Sequence, residues 1–391
     1  MPSHATTALR LPQTAMNSVM LPPTSPRRGL LPSPLERDPK FLARYERDVM
    51  FYDVFWDFER LNILLLGPAA IDLEPHYRSA RYRALPSGQS LRPKAHHSAH
   101  VQLFSLRAPA DTTHIEILFA GTSQQIIVAD NHGKFFAGQN LLFTLSQNND
   151  LAWIADWARF HVVNQGVTAV VLFDNKSTLY DTQALEDCLV SVPGLKRVGV
   201  VPVPFTYPLA DEAVPKNIFW PHFLQPAVIT NMFRRYGMAA NAILNCDIDE
   251  LAVPLAGETV FESATRSRSG TVYFRGCWIE PVPNAPRSSG YRHRDFVQVE
   301  KGVDVTRGPT NKWALAPDRR WLRKLKVHPN AHVIDNRVKF SRHKPGTAFI
   351  AHFKAISNSW KYDRPVLSDT QMALEPQPAL QHALEKAFGS D

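Results

Sequence analysis

From residue 141 onward, short apolar runs alternate with amphipathic stretches. LLFTLS (141–146) reads as a strand. Asn149 and Asp150 follow as N-cap candidates. In DLAWIADWARFHVVNQG, Trp153, Trp157 and Phe160 recur at helical spacing, which predicts core packing, and Gly166 fits the residue after a helix end. TAVVLF (168–173) is the next strand, TQALEDCLVSV (182–192) a helix and RVGVVPV (197–203) a strand. KNIFWPHFLQPAVITNMFRRYG (216–237) reads as helical, with breaks near Pro221 and Pro226, and NAILNC (241–246) is a strand again. Strands alternating with helices predict βαβ crossovers, hence an α/β domain with a mostly parallel, buried sheet flanked by helices. Beyond residue 255 the regularity weakens. TVYFRGCWIE (271–280) is a strand, while RWLRKLKVH (320–328) and TAFIAHF (347–353) each carry a histidine near their ends.

The earlier chain has a different pattern. Residues 1–40 are rich in proline and hold no acid before Glu36, which predicts a disordered tail. Residues 41–140 read as a small β-rich accessory region, in which HIEILFA (114–120) and QQIIVAD (124–130) flank a glycine-containing turn and predict a hairpin. A domain over 141–370 follows, then a C-terminal helix or tail over 371–391.

Composition narrows the class. With 391 residues and 44% hydrophobic side chains, the chain can bury a large core. The net charge of +8 favours anionic partners such as nucleotide diphosphates. No helix-turn-helix, zinc finger or RNA-binding aromatic motif is present, so nucleic acid is not expected as a partner. Cys188, Cys246 and Cys277 lack CxxC spacing and read as free thiols in a reducing compartment. No apolar run approaches the ~18–20 residues that span a bilayer. The reading is a cytoplasmic protein, with peripheral attachment at the inner face of a membrane left open. The oligomeric state is not legible.

Ligands of parallel sheets sit beyond the carboxyl ends of strands. Here one strand closes on Asp174-Asn175-Lys176-Ser177 and another on Asp247-Ile248-Asp249-Glu250. In extended backbone Asp247 and Asp249 project to the same side. Two such carboxylates repel unless a cation lies between them, and oxygen ligands suit Mg2+ or Mn2+.

These residues carry a resemblance. NNDLAWIADWARFHVVNQGVTAVVLFDNKS (148–177), NCDIDELAVP (245–254) and IAHFKAISNSWKYDR (350–364) resemble, in the same order, segments of GT-A-type glycosyltransferases related to family 92 and to family 2-like proteins. NKW (311–313) and KVH (326–328) also have counterparts there. The likeness spans about residues 141–365. It implies a GT-A-like fold, a nucleotide-sugar donor, a glycan or other hydroxyl acceptor such as a polysaccharide, and a divalent metal. Carried over, Asp174, Asn175 and Asp247 contact the nucleotide sugar, while Asp247, Asp249 and His352 hold the metal. Glu250, His328 and Lys326 stand behind them, and Arg323 and Lys324 either meet phosphate or form a solvated basic face. The resemblance favours inversion, which needs a carboxylate base. Glu280 is nominated, with Asp295 in reserve. Two alternatives stay open. One is a nucleotidyl or phosphoryl transferase, although GxxxxGK[ST] and GxGxxG are absent. The other is a non-catalytic carbohydrate- or nucleotide-binding protein with a degenerate site.

Overall fold

The computed structural model describes residues 7–12, 15–32, 35–255, 257–288, 290–308, 310–335, 346–357, 366–367 and 372–389. Its centre is a nine-stranded mixed sheet. The strands in chain order are β1 (Leu9–Arg10), β2 (Asn140–Ser146), β3 (Ala169–Asp174), β4 (Arg197–Pro202), β5 (Ala242–Asn245), β6 (Glu250–Pro254), β7 (Thr271–Ile279), β8 (Thr310–Leu315) and β9 (Ala348–Phe353). Across the sheet they run β1-β4-β3-β2-β5-β8-β7-β9-β6. Five neighbouring pairs are parallel and three antiparallel. The antiparallel pairs all lie on the β8 and β6 side, where the helical alternation also breaks down in the sequence.

Helix starts and stops follow local chemistry. The helix Leu151–Gln165 begins where the Asp150 carboxylate accepts from the Ala152 N–H at 2.7 Å. It ends at Gly166, whose φ of 70° suits a residue without a Cβ. The predicted hairpin is present as His114–Phe119 against Thr122–Ile127. Its two-residue turn, Ala120-Gly121, has positive φ at both positions, the geometry that matches the twist of paired strands.

Alternation along the central strands feeds two cores. Leu142, Val170, Leu172, Val200, Leu244, Val272 and Ala314 face one side. There they meet Trp157 and Phe160 of the long helix, Leu185 and Leu189 of Thr182–Val190, Phe261 of Val260–Arg266, and Leu380 and Leu384 of Pro378–Phe388. Leu141, Phe143, Val171, Phe173, Ile243, Trp313 and Leu315 face the other side. That face is covered by Leu224–Asn231, its π-turn continuation Met232–Tyr236, and by Tyr52, Phe55, Leu64, Leu66, Val101 and Leu103 from the 41–140 region. Both faces are buried, so the strands read as continuous apolar runs. The 41–140 region itself holds two four-stranded antiparallel sheets with a third core between them. It is thus a covering layer of the α/β part, sharing its core.

The N-terminal expectation needs correction. Residues 1–6, 13–14 and 33–34 lie outside the described residues. The rest of the first 40 are packed. β1 adds in parallel to the edge of the sheet, and Val19–Met20 pairs with Val49–Phe51. Arg28 is fully buried and donates to the carbonyls of Ala69, Glu46 and Val49. The segment has no core of its own but completes one built by later residues, which composition alone does not reveal. RWLRKLKVH forms turns, and only His328–Pro329 within that stretch and its successor pairs as strand. The C-terminal expectation resolves into the helix Pro378–Phe388.

Two buried polar contacts lock the layers. Arg235 on the π turn meets Asp53 at 2.8 Å, both almost fully buried, and Asn231 Nδ2 donates to the same carboxylate at 2.7 Å. His161 is wholly enclosed. Its Nδ1–H donates to the Trp157 carbonyl at 2.8 Å, so Nε2 is left to accept the Ala252 N–H at 3.1 Å. Burial pushes its pKa down to about 3, against the Trp157 hydrogen bond.

Two outcomes are expected. Arg235→Met should cost about 3–5 kcal/mol in urea unfolding, because Asp53 is left buried without a counter-charge, and adding Asp53→Leu should recover most of it. His161 is neutral when folded, whereas the unfolded chain protonates it below pH ~6.5. Its stabilisation is therefore complete at neutral pH and is lost as pH falls toward about 3. Between pH 7 and 5, His161→Gln should lose about 2 kcal/mol less unfolding free energy than the native protein. Equal losses would contradict this account.

Candidate functional site

The topology brings the polar strand ends to one edge. β2, β3, β5, β7 and β9 all run the same way, and β6 and β8 run against them. The carboxyl ends carrying Ser146, Asp174, Asp247, Glu280 and Lys354 therefore share an edge with the starts of β6 and β8, which carry Glu250 and Lys312. The chain passes from β2 to β3 and β4 on one side, then returns to β5 on the other. Such a reversal opens a crevice between the two strand ends. The four residues Cys246–Asp249 join β5 to β6. They reach at most ~18 Å, whereas the three strands between would set β5 and β6 about 19 Å apart in a flat sheet. The sheet is therefore bent here, and the acidic turn lies over the ends of its neighbours.

Asp247 and Glu250 meet a cation from the protein itself. Lys312 Nζ lies 2.7 Å from Asp247 Oδ2 and 2.7 Å from Glu250 Oε2, with its side chain fully enclosed. Glu250 Oε2 also accepts the Asp247 N–H at 3.0 Å. Desolvation pushes the Asp247 carboxyl up, but the Lys312 ammonium outweighs it and the net shift is down. At Glu250 burial prevails and the pKa is raised. For Lys312 itself burial opposes the charge, yet the two carboxylates prevail and hold it protonated.

Asp249 faces a different partner. His352 Nε2 lies 3.1 Å from Asp249 Oδ2, and its Nδ1 lies 3.6 Å from Glu250 Oε1. Desolvation disfavours the imidazolium, but Asp249 and then Glu250 raise its pKa overall. The ring rests on Trp278, with centroids 4.1 Å apart. Two residues further along the same pair of strands, Lys354 Nζ contacts both oxygens of Glu280 at 2.7 Å.

The third feature is a pocket of about 400 Å3 at the β2 and β3 ends, lined by Asn148, Asp150, Leu151, Trp153, Leu179 and Tyr180. Asp174 lies beside it. Its carboxylate is raised by burial against hydrogen bonds from Ser177, and it acts electrostatically on Tyr180. Asp174 Oδ1 is buried and meets no donor among the described residues. Such an oxygen calls for a ligand N–H or O–H.

The metal expectation is changed by Lys312. Among the described residues no group of three or more His, Cys, Asp and Glu side chains is set to hold a metal ion. Asp247, expected as a ligand, has Oδ2 engaged by Lys312. Asp249 and His352 do converge. Two ligands at right angles on an ion at ~2.1 Å lie ~3.0 Å apart, so their 3.1 Å separation suits a shared Mg2+ or Mn2+ as well as a hydrogen bond.

Other expected residues fall elsewhere. Asn175 is buried, and its Nδ2 donates to the carbonyls of Val203 at 3.1 Å and Phe205 at 2.6 Å, so its amide protons serve the fold. His328 is buried away from the acids, beside Arg234, His96 and His97, and burial pushes its pKa down to about 4. Lys326, Arg323 and Lys324 are on the neighbouring turns, and Arg234 donates to the carbonyls of Arg323 and Lys324. Asp295 accepts the Arg292 N–H at 2.7 Å and pairs with Arg287 at 3.2 Å, a carboxylate used to hold a turn. Residues 358–364 of the late motif lie outside the described residues.

Local sequence patterns assign no role to Lys312, Trp278, Lys354 or His332, although His332 acts electrostatically on Asp247. A signal for Lys312 existed. A lysine inside the apolar strand TNKWAL demands a buried anion.

The chain matches no family model. No curated relative matches it either.

Asn175→Ala should lower stability by about 1–3 kcal/mol, since two buried carbonyls lose their donor. In calorimetric titration the folded variant should keep its affinity for any nucleotide that the native protein binds. A specific loss of nucleotide affinity would return Asn175 to the ligand site.

Proposed function

We propose that the protein is a GT-A-like, divalent-metal-dependent glycosyltransferase that moves a sugar from a nucleotide-sugar donor to a glycan or other hydroxyl acceptor. The observation that carries the reading is one sheet edge. It joins a pocket beside Asp174, one of whose buried carboxylate oxygens lacks a donor among the described residues, to an acidic turn whose Asp249 converges with His352. The order of the three motifs that resemble family 92 supports it.

Each residue has a task in this reading. Asp174 accepts a hydrogen bond from the nucleoside seated against Leu151, Trp153 and Tyr180. Asp249 and His352 hold the divalent ion, which when bound supplies positive charge to the departing diphosphate. Lys312 keeps Asp247 ionised and in place. Glu280 takes the proton of the acceptor hydroxyl. The acceptor oxygen then bonds to the anomeric carbon as the bond to the diphosphate breaks, with inversion, and the electron pair leaves with the nucleoside diphosphate. Lys354 Nζ, 2.7 Å from both Glu280 oxygens, holds that carboxyl group in place. Glu280 is preferred to Asp295, because Asp295 is committed to the Arg292 turn.

Binding of UDP- and GDP-sugars, measured with Mn2+ and with a chelator, tests the reading. Asp249→Ala should abolish the metal-dependent part of donor binding and leave the melting transition in place. Asp174→Ala should weaken donor binding about tenfold or more at unchanged Mn2+ dependence, the loss of a hydrogen bond to a charged group. Native binding by Asp249→Ala would refute the site, and binding indifferent to the chelator would remove the metal from it.

A further inference from the structure

The acidic turn already contains a cation. Lys312 is fully enclosed, its Nζ is 2.7 Å from one oxygen each of Asp247 and Glu250, and that Glu250 oxygen also receives the Asp247 N–H at 3.0 Å. Side chains and turn backbone thus form one closed unit. One contact inside the turn and one from β9 strengthen it. Cys246 Sγ donates to the Glu250 carbonyl at 3.2 Å, and the Phe353 N–H donates to the Asp249 carbonyl at 2.8 Å. His293 Nε2 adds a third anchor on the Ile248 carbonyl at 2.8 Å. The ammonium is tethered to its strand, unlike a bound ion that a chelator removes.

We propose that Lys312 is the positioning residue of this edge. Its ammonium stands where a cation would otherwise have to sit between Asp247 and Glu250, and it shapes the turn 247–250 without metal. Asp249 and His352 are left as the pair offered to an incoming ion; this last clause rests on the function proposed above, whereas the rest does not. The lysine also explains why the expected trio of Asp247, Asp249 and His352 is not assembled. A carboxylate oxygen engaged by an ammonium is turned away from a second cation.

Melting temperatures in EDTA and in Mn2+ test this for the native protein, Lys312→Met, and Lys312→Met combined with Asp247→Asn and Glu250→Gln. The native protein should keep a cooperative transition in EDTA, raised in Mn2+ only by what binding at Asp249 and His352 supplies. Lys312→Met should lose about 4–6 °C in EDTA, the effect of leaving the buried Glu250 carboxylate without a counter-charge. Mn2+ should raise Lys312→Met by more than it raises the native protein, an excess that simple core damage would not show. The triple variant, with its charges removed, should regain most of it in EDTA. Should Lys312→Met fail to fold, the triple variant carries the comparison. Three results would overturn the proposal: a native transition that collapses in EDTA, a Lys312→Met protein that melts with the native one, or a triple variant no better than the single. None of them involves a nucleotide, so failure of the lysine's role and failure of sugar transfer are told apart.

Discussion

The ammonium of Lys312, shut in with the carboxylates of Asp247 and Glu250, is the contact from which the rest of the functional edge takes its form. Three acids within four residues repel one another at close range. A turn carrying them at the end of a buried strand would open unless the charge were met. The lysine comes from β8, the strand beside β5, and reaches the turn because β8 begins at the edge where β5 ends. Antiparallel addition of β8 to a parallel sheet is therefore an electrostatic requirement as well as a topological detail.

The pairing also divides the acids by task. Asp247 and Glu250 are engaged by Lys312, while Asp249 pairs with His352, whose ring rests on Trp278. Glu280 and Lys354 form a second acid–base pair just beyond the ends of β7 and β9, so β9 supplies the basic partner of both pairs. Nearby, Asp174 keeps an oxygen without a donor among the described residues. Elsewhere Arg28 and the terminal nitrogens of Arg234 are met by rows of carbonyls, while Arg234 Nε and both ring nitrogens of His328, like Asp174 Oδ1, are buried without a partner among the described residues.

How much of this was legible in the sequence depended on range. Local chemistry could be read directly. Asp150 and Gly166 bound their helix as expected, and the two residues Ala120-Gly121 turn their hairpin. Alternating apolar runs located β2 to β5. What escaped depends on distant partners. Lys312 and Asp247 are 65 residues apart, and nothing local to either names the other. Asn175 looked like part of a ligand site because turn residues and binding residues share the same chemistry at a strand end; its carbonyl partners lie about 30 residues away. His328 was misplaced for the same reason, since burial beside Arg234 is set by packing between layers. The N-terminal segment was read from its own composition, whereas its order comes from a surface that later residues build.

That dependence bears on how the chain comes to be folded. The sheet has residues 9–10 at one margin, and its other half includes residues 348–353. Its contacts therefore join parts of the chain that are synthesised far apart in time. Pairings of such long sequence separation impose slow, late closure, because the entropy of the intervening loops must be overcome before the contacts form. Until β9 arrives to pair with β6 and β7, Asp249 lacks His352 and the ladder is unfinished. The emerging polypeptide thus keeps the backbone edges of β6 and β7 unpaired on that side until residues 348–353 are made.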